Sequence, residues 1–145
     1  MKHKLPTLHD VINYYQAGEY QNALRALAPM LKRAPHNGKL WILQSASLIQ
    51  VPGKEQEALE AIKRAIKFYP ADHTLFNNMG IIYSKMSKYD MAVSSYQKSI
   101  ELAPNCAETW SFLGNARQKT SELAMAEACL KKAIRSEEHT SELQS

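Results

Sequence analysis

Pro35, Pro70 and Pro104 lie 35 and 34 residues apart, and each closes a run of the same character: YYQAGEYQNALRALAPMLKRAP, GKEQEALEAIKRAIKFYP and YSKMSKYDMAVSSYQKSIELAP. A fixed period in the thirties is the mark of stacked supersecondary units, each touching only its neighbours, and not of one globular core. The 145 residues give room for about four such units. This constraint comes before any composition argument, because it sets both the architecture and the kind of surface the chain can present.

The third unit, residues 72 to 105, shows what each unit must be. Leu75, Phe76, Met79, Gly80, Ile82, Tyr83 and Met86 fall at helical spacing on one broad apolar face. Tyr89, Ala92, Val93, Tyr96, Ile100 and Leu102 form a second such run, and the polar stretch KMSKYD between them is short enough for a tight helix–helix turn. Pro104 stops the second helix, since proline lacks the backbone donor and clashes with the preceding turn. Each unit is therefore expected to be a helical hairpin. A lone hairpin cannot bury both its faces, so the units must stack.

These residues resemble the tetratricopeptide repeat, a 34-residue helix–turn–helix. With the closing proline at motif position 32, the third unit places Phe76 at 4, Met79 at 7, Gly80 at 8, Tyr83 at 11, Ala92 at 20, Tyr96 at 24 and Ser99 at 27. Gly80 and Ala92 are small and let two helices approach; the aromatic residues fill the remaining space. The fourth unit repeats the pattern with Trp110, Leu113, Gly114, Ala126, Leu130 and Ala133, departing at Arg117. The first supplies Tyr14, Gly18, Tyr20, Ala23, Leu27 and Pro35, and the second Trp41, Ser45, Ala58, Ile62, Ala65 and Pro70. The resemblance implies an all-α, right-handed solenoid of antiparallel helix pairs over residues 4–134, with repeats at about 4–37, 38–72, 73–106 and a truncated 107–134. Pro29 falls inside the second helix of the first unit and is expected to kink or break it there.

Residues 135–145, RSEEHTSELQS, break the pattern, and the string back-translates into one frame of a common sequencing adapter. They are set aside as a non-native tail, and the natural protein is expected to continue past Ile134. The C-terminal edge is then apolar without a capping repeat, and self-association through it is expected. The formal charge of the whole chain is +4, and it rises to +6 without the tail's Arg135, Glu137, Glu138 and Glu142. The excess cations cluster late in second helices, as at Lys32, Arg33 and Lys67, where they complement the helix dipole. No nucleic-acid module accompanies them. No apolar run approaches membrane-span length and the N-terminus has no signal-peptide core, so a cytoplasmic location is the default.

Catalysis finds no support in the pattern. His3, His9, His36 and His73 lack metal-ligand spacing, Cys106 and Cys129 are isolated, and the five glycines form no phosphate loop. No cofactor or metal is implied. By the resemblance, motif positions 2, 5, 6, 9, 12 and 13 of each first helix face a concave groove. In the third unit these are Thr74, Asn77, Asn78, Ile81, Ser84 and Lys85; in the fourth they are Glu108, Ser111, Phe112, Asn115, Gln118 and Lys119. Asn77, Asn78, Ile81, Lys85, Ser111, Asn115 and Lys119 are the candidate binding residues, because amide side chains both donate to and accept from an extended backbone. The lysine and asparagine pattern of chaperone-tail clamps is absent: Leu8, Ile12, Ile42, Ala46 and Ile81 occupy five of its positions. The expected function is a non-enzymatic scaffold holding a protein or peptide segment. The alternative is the N-terminal arm of a larger glycosyltransferase or sulfotransferase, suggested by FNNMG at 76–80.

Overall fold

The computed structural model describes the backbone of residues 4–144 and the side chains of 4–132, 134 and 135. Among them the chain is all helix and connecting turn, in the order α1 (Leu8–Gln16), α2 (Tyr20–Arg33), α3 (Gly38–Ile49), α4 (Glu55–Phe68), α5 (His73–Lys85), α6 (Tyr89–Leu102) and α7 (Ala107–Gln144). Each helix packs chiefly on its neighbours in sequence, as a solenoid requires. One apolar core joins α1, α2 and α3 around Val11, Ala23, Leu27 and Leu40. A second continues from α3 to α7 through Ala58, Ile62, Leu75, Ile82, Tyr96 and Leu113.

Local chemistry marks where each helix starts and stops. Thr7 and Asp10 form a capping box at α1, and Asn37 and Asp72 cap α3 and α5 by accepting from the N–H groups of Lys39 and Thr74. The even-numbered helices have no such side-chain cap; they begin after a turn. Gly18 (φ 77°), Gly53 (φ 85°) and Ser87 (φ 58°) hold the left-handed conformation in those turns. At the other end, Ala34, Tyr69 and Ala103 leave the helix at φ −133°, −130° and −144°, extended as a residue before proline must be.

Two expectations are corrected here. α2 is one helix through Pro29, whose side chain is exposed, so the expected break does not occur. The fourth unit is not a hairpin. Each unit was expected to be a helical hairpin, but α7 runs as one continuous helix from Ala107 to Gln144. Ser121 stands at the place of Gly18, Gly53 and Ser87, and left-handed backbone is unfavourable for a non-glycine residue. The surrounding Gln118, Leu123, Ala124 and Met125 are good helix formers. Gln118 also donates to Glu122 at 3.1 Å and Lys119 pairs with Glu122 at 3.5 Å, both along the straight helix. The tail assignment falls largely on 136–145, whose side chains lie outside the described residues.

Candidate functional site

The site grows from how α5 and α7 pack on α6. Gly80 carries no side chain, so the ring of Tyr96 lies directly on the α5 backbone. Phe112 from α7 stacks on that ring with centroids 5.8 Å apart, and the Tyr96 hydroxyl shares a hydrogen bond with Ser84 Oγ at 3.2 Å. Burial pushes the Tyr96 phenol up from its ordinary value, opposed by the Ser84 bond, so the hydroxyl stays protonated across the physiological range. These rings form the floor of a pocket of about 390 Å³. Ile81, Ser84, Lys85, Tyr89, Asn115, Ala116 and Lys119 complete its lining.

Ile81, Lys85, Asn115 and Lys119, four of the seven sequence-predicted residues, thus share one pocket. Asn115 and Lys119 are exposed along its α7 wall, one helical turn apart. Lys85 also braces the stack of repeats. Its Nζ donates to the carbonyl of Ile49 at 2.6 Å, closing the C-terminus of α3 and tying the second hairpin to the third. Two of its three N–H donors remain for a ligand. Lys119 shares its charge with Glu122 across an exposed pair, which holds it only weakly.

The other three residues do not join them. Asn77 is only 9% exposed, and its Oδ1 accepts from the Thr109 hydroxyl at 3.0 Å across the α5–α7 contact. Its side chain fastens one repeat to the next and does not line the pocket. Asn78 is half-buried and Ser111 is exposed, and neither lines the pocket. Sequence reasoning missed Tyr89 and Tyr96, which come from the second helix of their hairpin. Tyr96 was legible as a large residue opposite Gly80, but only as core filling.

No group of three or more His, Cys, Asp or Glu side chains converges on a metal-sized site among the described residues. No helix of the described residues is long and apolar enough to cross a membrane.

Comparison with known proteins agrees with this architecture. The family model for the Psidin N-terminal TPR repeats region matches residues 3–122, and the tetratricopeptide repeat model matches residues 107–140. The Hsp70-Hsp90 organizing protein of Triticum aestivum is 30% identical over 82 residues, covering 57% of this chain and 14% of that protein. Cilia- and flagella-associated protein 70 of Homo sapiens is 31% identical over 100 residues, covering 67% of this chain and 9% of its own length. The chain therefore spans a small part of either relative. MamA from Desulfovibrio magneticus superposes with a TM-score of 0.75 at 20% identity, over 88% of this chain and 71% of that one. The first TPR of Spaghetti (RPAP3), solved bound to the HSP90 peptide SRMEEVD, superposes with a TM-score of 0.73 at 18% identity, over 78% and 89% of the two chains. At these identities the structural likeness is one of fold. With a family match over most of its length and the same register recurring from hairpin to hairpin, the chain belongs to the tetratricopeptide repeat family.

Proposed function

We propose that this chain is a non-enzymatic protein-interaction scaffold that holds an extended segment of a partner protein along α5 and α7. The observation that carries the reading is the pocket with a stacked aromatic floor and a polar rim. Phe112, Tyr96 and Ile81 suit one apolar side chain of a ligand, while Lys85, Lys119 and Asn115 suit a carboxylate or backbone amide beside it. The RPAP3 repeat bound to an HSP90 peptide supports peptide holding by this fold. The clamp residues of chaperone-tail readers are missing here, so the sequence preference belongs to this pocket's own lining. No observation favours the transferase-arm alternative.

Ile81→Glu places an anion among the two lysines and removes the apolar wall, and Asn115→Ala with Lys119→Ala strips the rim. Both variants should keep wild-type circular dichroism. Both should lose the partners that wild-type protein captures from cell extract, scored by quantitative mass spectrometry. Identical capture by all three proteins, with folds intact, refutes the pocket as the binding site.

A further inference from the structure

Motif positions 20 and 24 are occupied by Ala23 and Leu27, Ala58 and Ile62, and Ala92 and Tyr96 in the first three hairpins, and all six are 2% exposed or less. The same positions in α7 are Ala126 and Leu130. Ala126 is exposed, and Leu130 is 65% exposed. Ile134, the counterpart of Ile100, is 56% exposed, and Leu123 and Met125 beside them are exposed too. Among the described residues, Leu123, Met125, Ala126, Leu130 and Ile134 thus carry the buried face of a second helix in exposed positions.

The receiving surface is just as incomplete. Gly80 is a notch filled by Tyr96, whereas a side chain at Gly114 would meet nothing within 4 Å. Trp41 lies under the guanidinium of Arg64, 4.7 Å above its ring, but Trp110, held in the same way by its indole N–H donating to the carbonyl of Pro104 at 2.8 Å, is 51% exposed. An open cleft of about 430 Å³ runs along it between α6 and α7, lined by Ile100, Leu113 and Arg117 among others. The notch and its plug are on one continuous helix. Leu130 lies sixteen residues from Gly114, about 24 Å along the axis, so this conformation cannot fill its own notch.

We infer that a second copy of this chain fills it: two α7 helices lie antiparallel about a two-fold axis at residue 122, each completing the other's fourth hairpin. The register follows from the third hairpin, where Gly80 meets Tyr96. Shifted by one repeat, Gly114 of one copy receives Leu130 of the other, and Trp110 receives Ile134. Arg117 then faces Glu127, whose carboxylate pairs with exposed Lys131 at 3.1 Å along its own helix. The interface is isologous, so every contact occurs twice and the assembly closes as a dimer. Ser121 is the hinge. It would have to adopt the left-handed conformation for the chain to fold back on itself, and strained short hinges favour exchange between copies.

The test uses the full chain with Cys106 and Cys129 replaced by serine. Gly114→Cys and Leu130→Cys are made in separate proteins and mixed under mild oxidation. A disulfide-linked heterodimer is expected from the mixture, with neither protein alone giving comparable yield. Wild-type protein should sediment as a dimer, and Leu130→Asp as a helical monomer. When both cysteines are placed in one chain, a dimer band is expected. A purely intramolecular bridge would instead mean that α7 folds back as an ordinary fourth hairpin, and overturns the exchange. A monomeric wild-type protein with no cross-link from the mixture also overturns it.

Discussion

Gly80 and Gly114 occupy the same motif position one repeat apart, and the structure gives them opposite fates. A methyl group on Gly80 would meet Cδ1 of Tyr96 at 2.5 Å and Cζ at 2.8 Å, against about 3.5–4.0 Å for carbon atoms at optimal contact, so the ring must retreat by roughly 1 Å. It has nowhere to go without loss: Phe112 is stacked on it, and its hydroxyl is tethered to Ser84. Overpacking of this kind costs about 1–3 kcal/mol. Alanine returns about 0.8–1.0 kcal/mol through its better helix propensity. Gly80→Ala should therefore destabilise by about 1 kcal/mol, up to about 2. Gly114→Ala should stabilise by about 0.5–1 kcal/mol, because the methyl meets nothing and only the propensity gain remains. Both variants belong in a Leu130→Asp background, so that association does not enter. For a domain of this size about 1 kcal/mol moves the melting temperature by about 2–4 °C, and circular dichroism melts should show shifts of opposite sign. Shifts of the same sign would refute the argument that the Tyr96 ring is locked in the Gly80 notch.

Asn77→Ala should cost about 1 kcal/mol, since it removes the partner of a buried hydroxyl, while Asn115→Ala should leave stability within about 0.5 kcal/mol; urea titration of both checks this. Hydrogen bonds from the Thr109 hydroxyl and from the N–H groups of Thr109 and Glu108 hold the Cys106 thiol below its ordinary range. The Thr109 hydroxyl has one proton to divide between Asn77 and this sulfur, so the pH–rate profile of Cys106 alkylation should move to lower pH in Asn77→Ala and to higher pH in Thr109→Val. The bonds from Thr7 hold the Asp10 carboxyl below its ordinary value of 3.8. A depressed acid stabilises the fold fully above its unfolded value, and that contribution disappears as pH falls through the folded one. Amide exchange of α1 should therefore accelerate selectively as pH falls below 3.8, and Asp10→Asn should accelerate it at neutral pH.

The hairpins were legible because their determinants are local. Pro35, Pro70 and Pro104 end helices wherever they fall, Asp72 caps whatever helix follows it, and an apolar face with a 3.6-residue period must be buried. The pairing of Gly80 with Tyr96 was equally readable, since a large residue opposite an absent side chain recurs at fixed spacing. Ile81, Lys85, Asn115 and Lys119 came together in one pocket for the same reason: the helical period places them on one face of two parallel-running helices.

Asn77 and Asn115 show where that legibility stops. Both are asparagines on groove-facing positions of first helices, but Asn77 meets Thr109 of the next repeat and Asn115 is exposed on the pocket wall. Lys85, a groove-facing position in the sequence, also donates to the end of α3, thirty-six residues back, a contact that only the stacking of hairpins creates. The fold of α7 was decided in the same way. Its sequence carries a second-helix face at Leu130 as surely as α6 does at Tyr96, and Ser121 could turn as Ser87 does. Ser87 is held in left-handed backbone within the packed hairpin of α5 and α6, whereas Ser121, Glu122 and Leu123 are exposed and helix propensity prevails there. Sequence determined which faces must be buried. Tertiary structure decided which partner buries them, because the free energy of a turn or a contact depends on what is packed across from it.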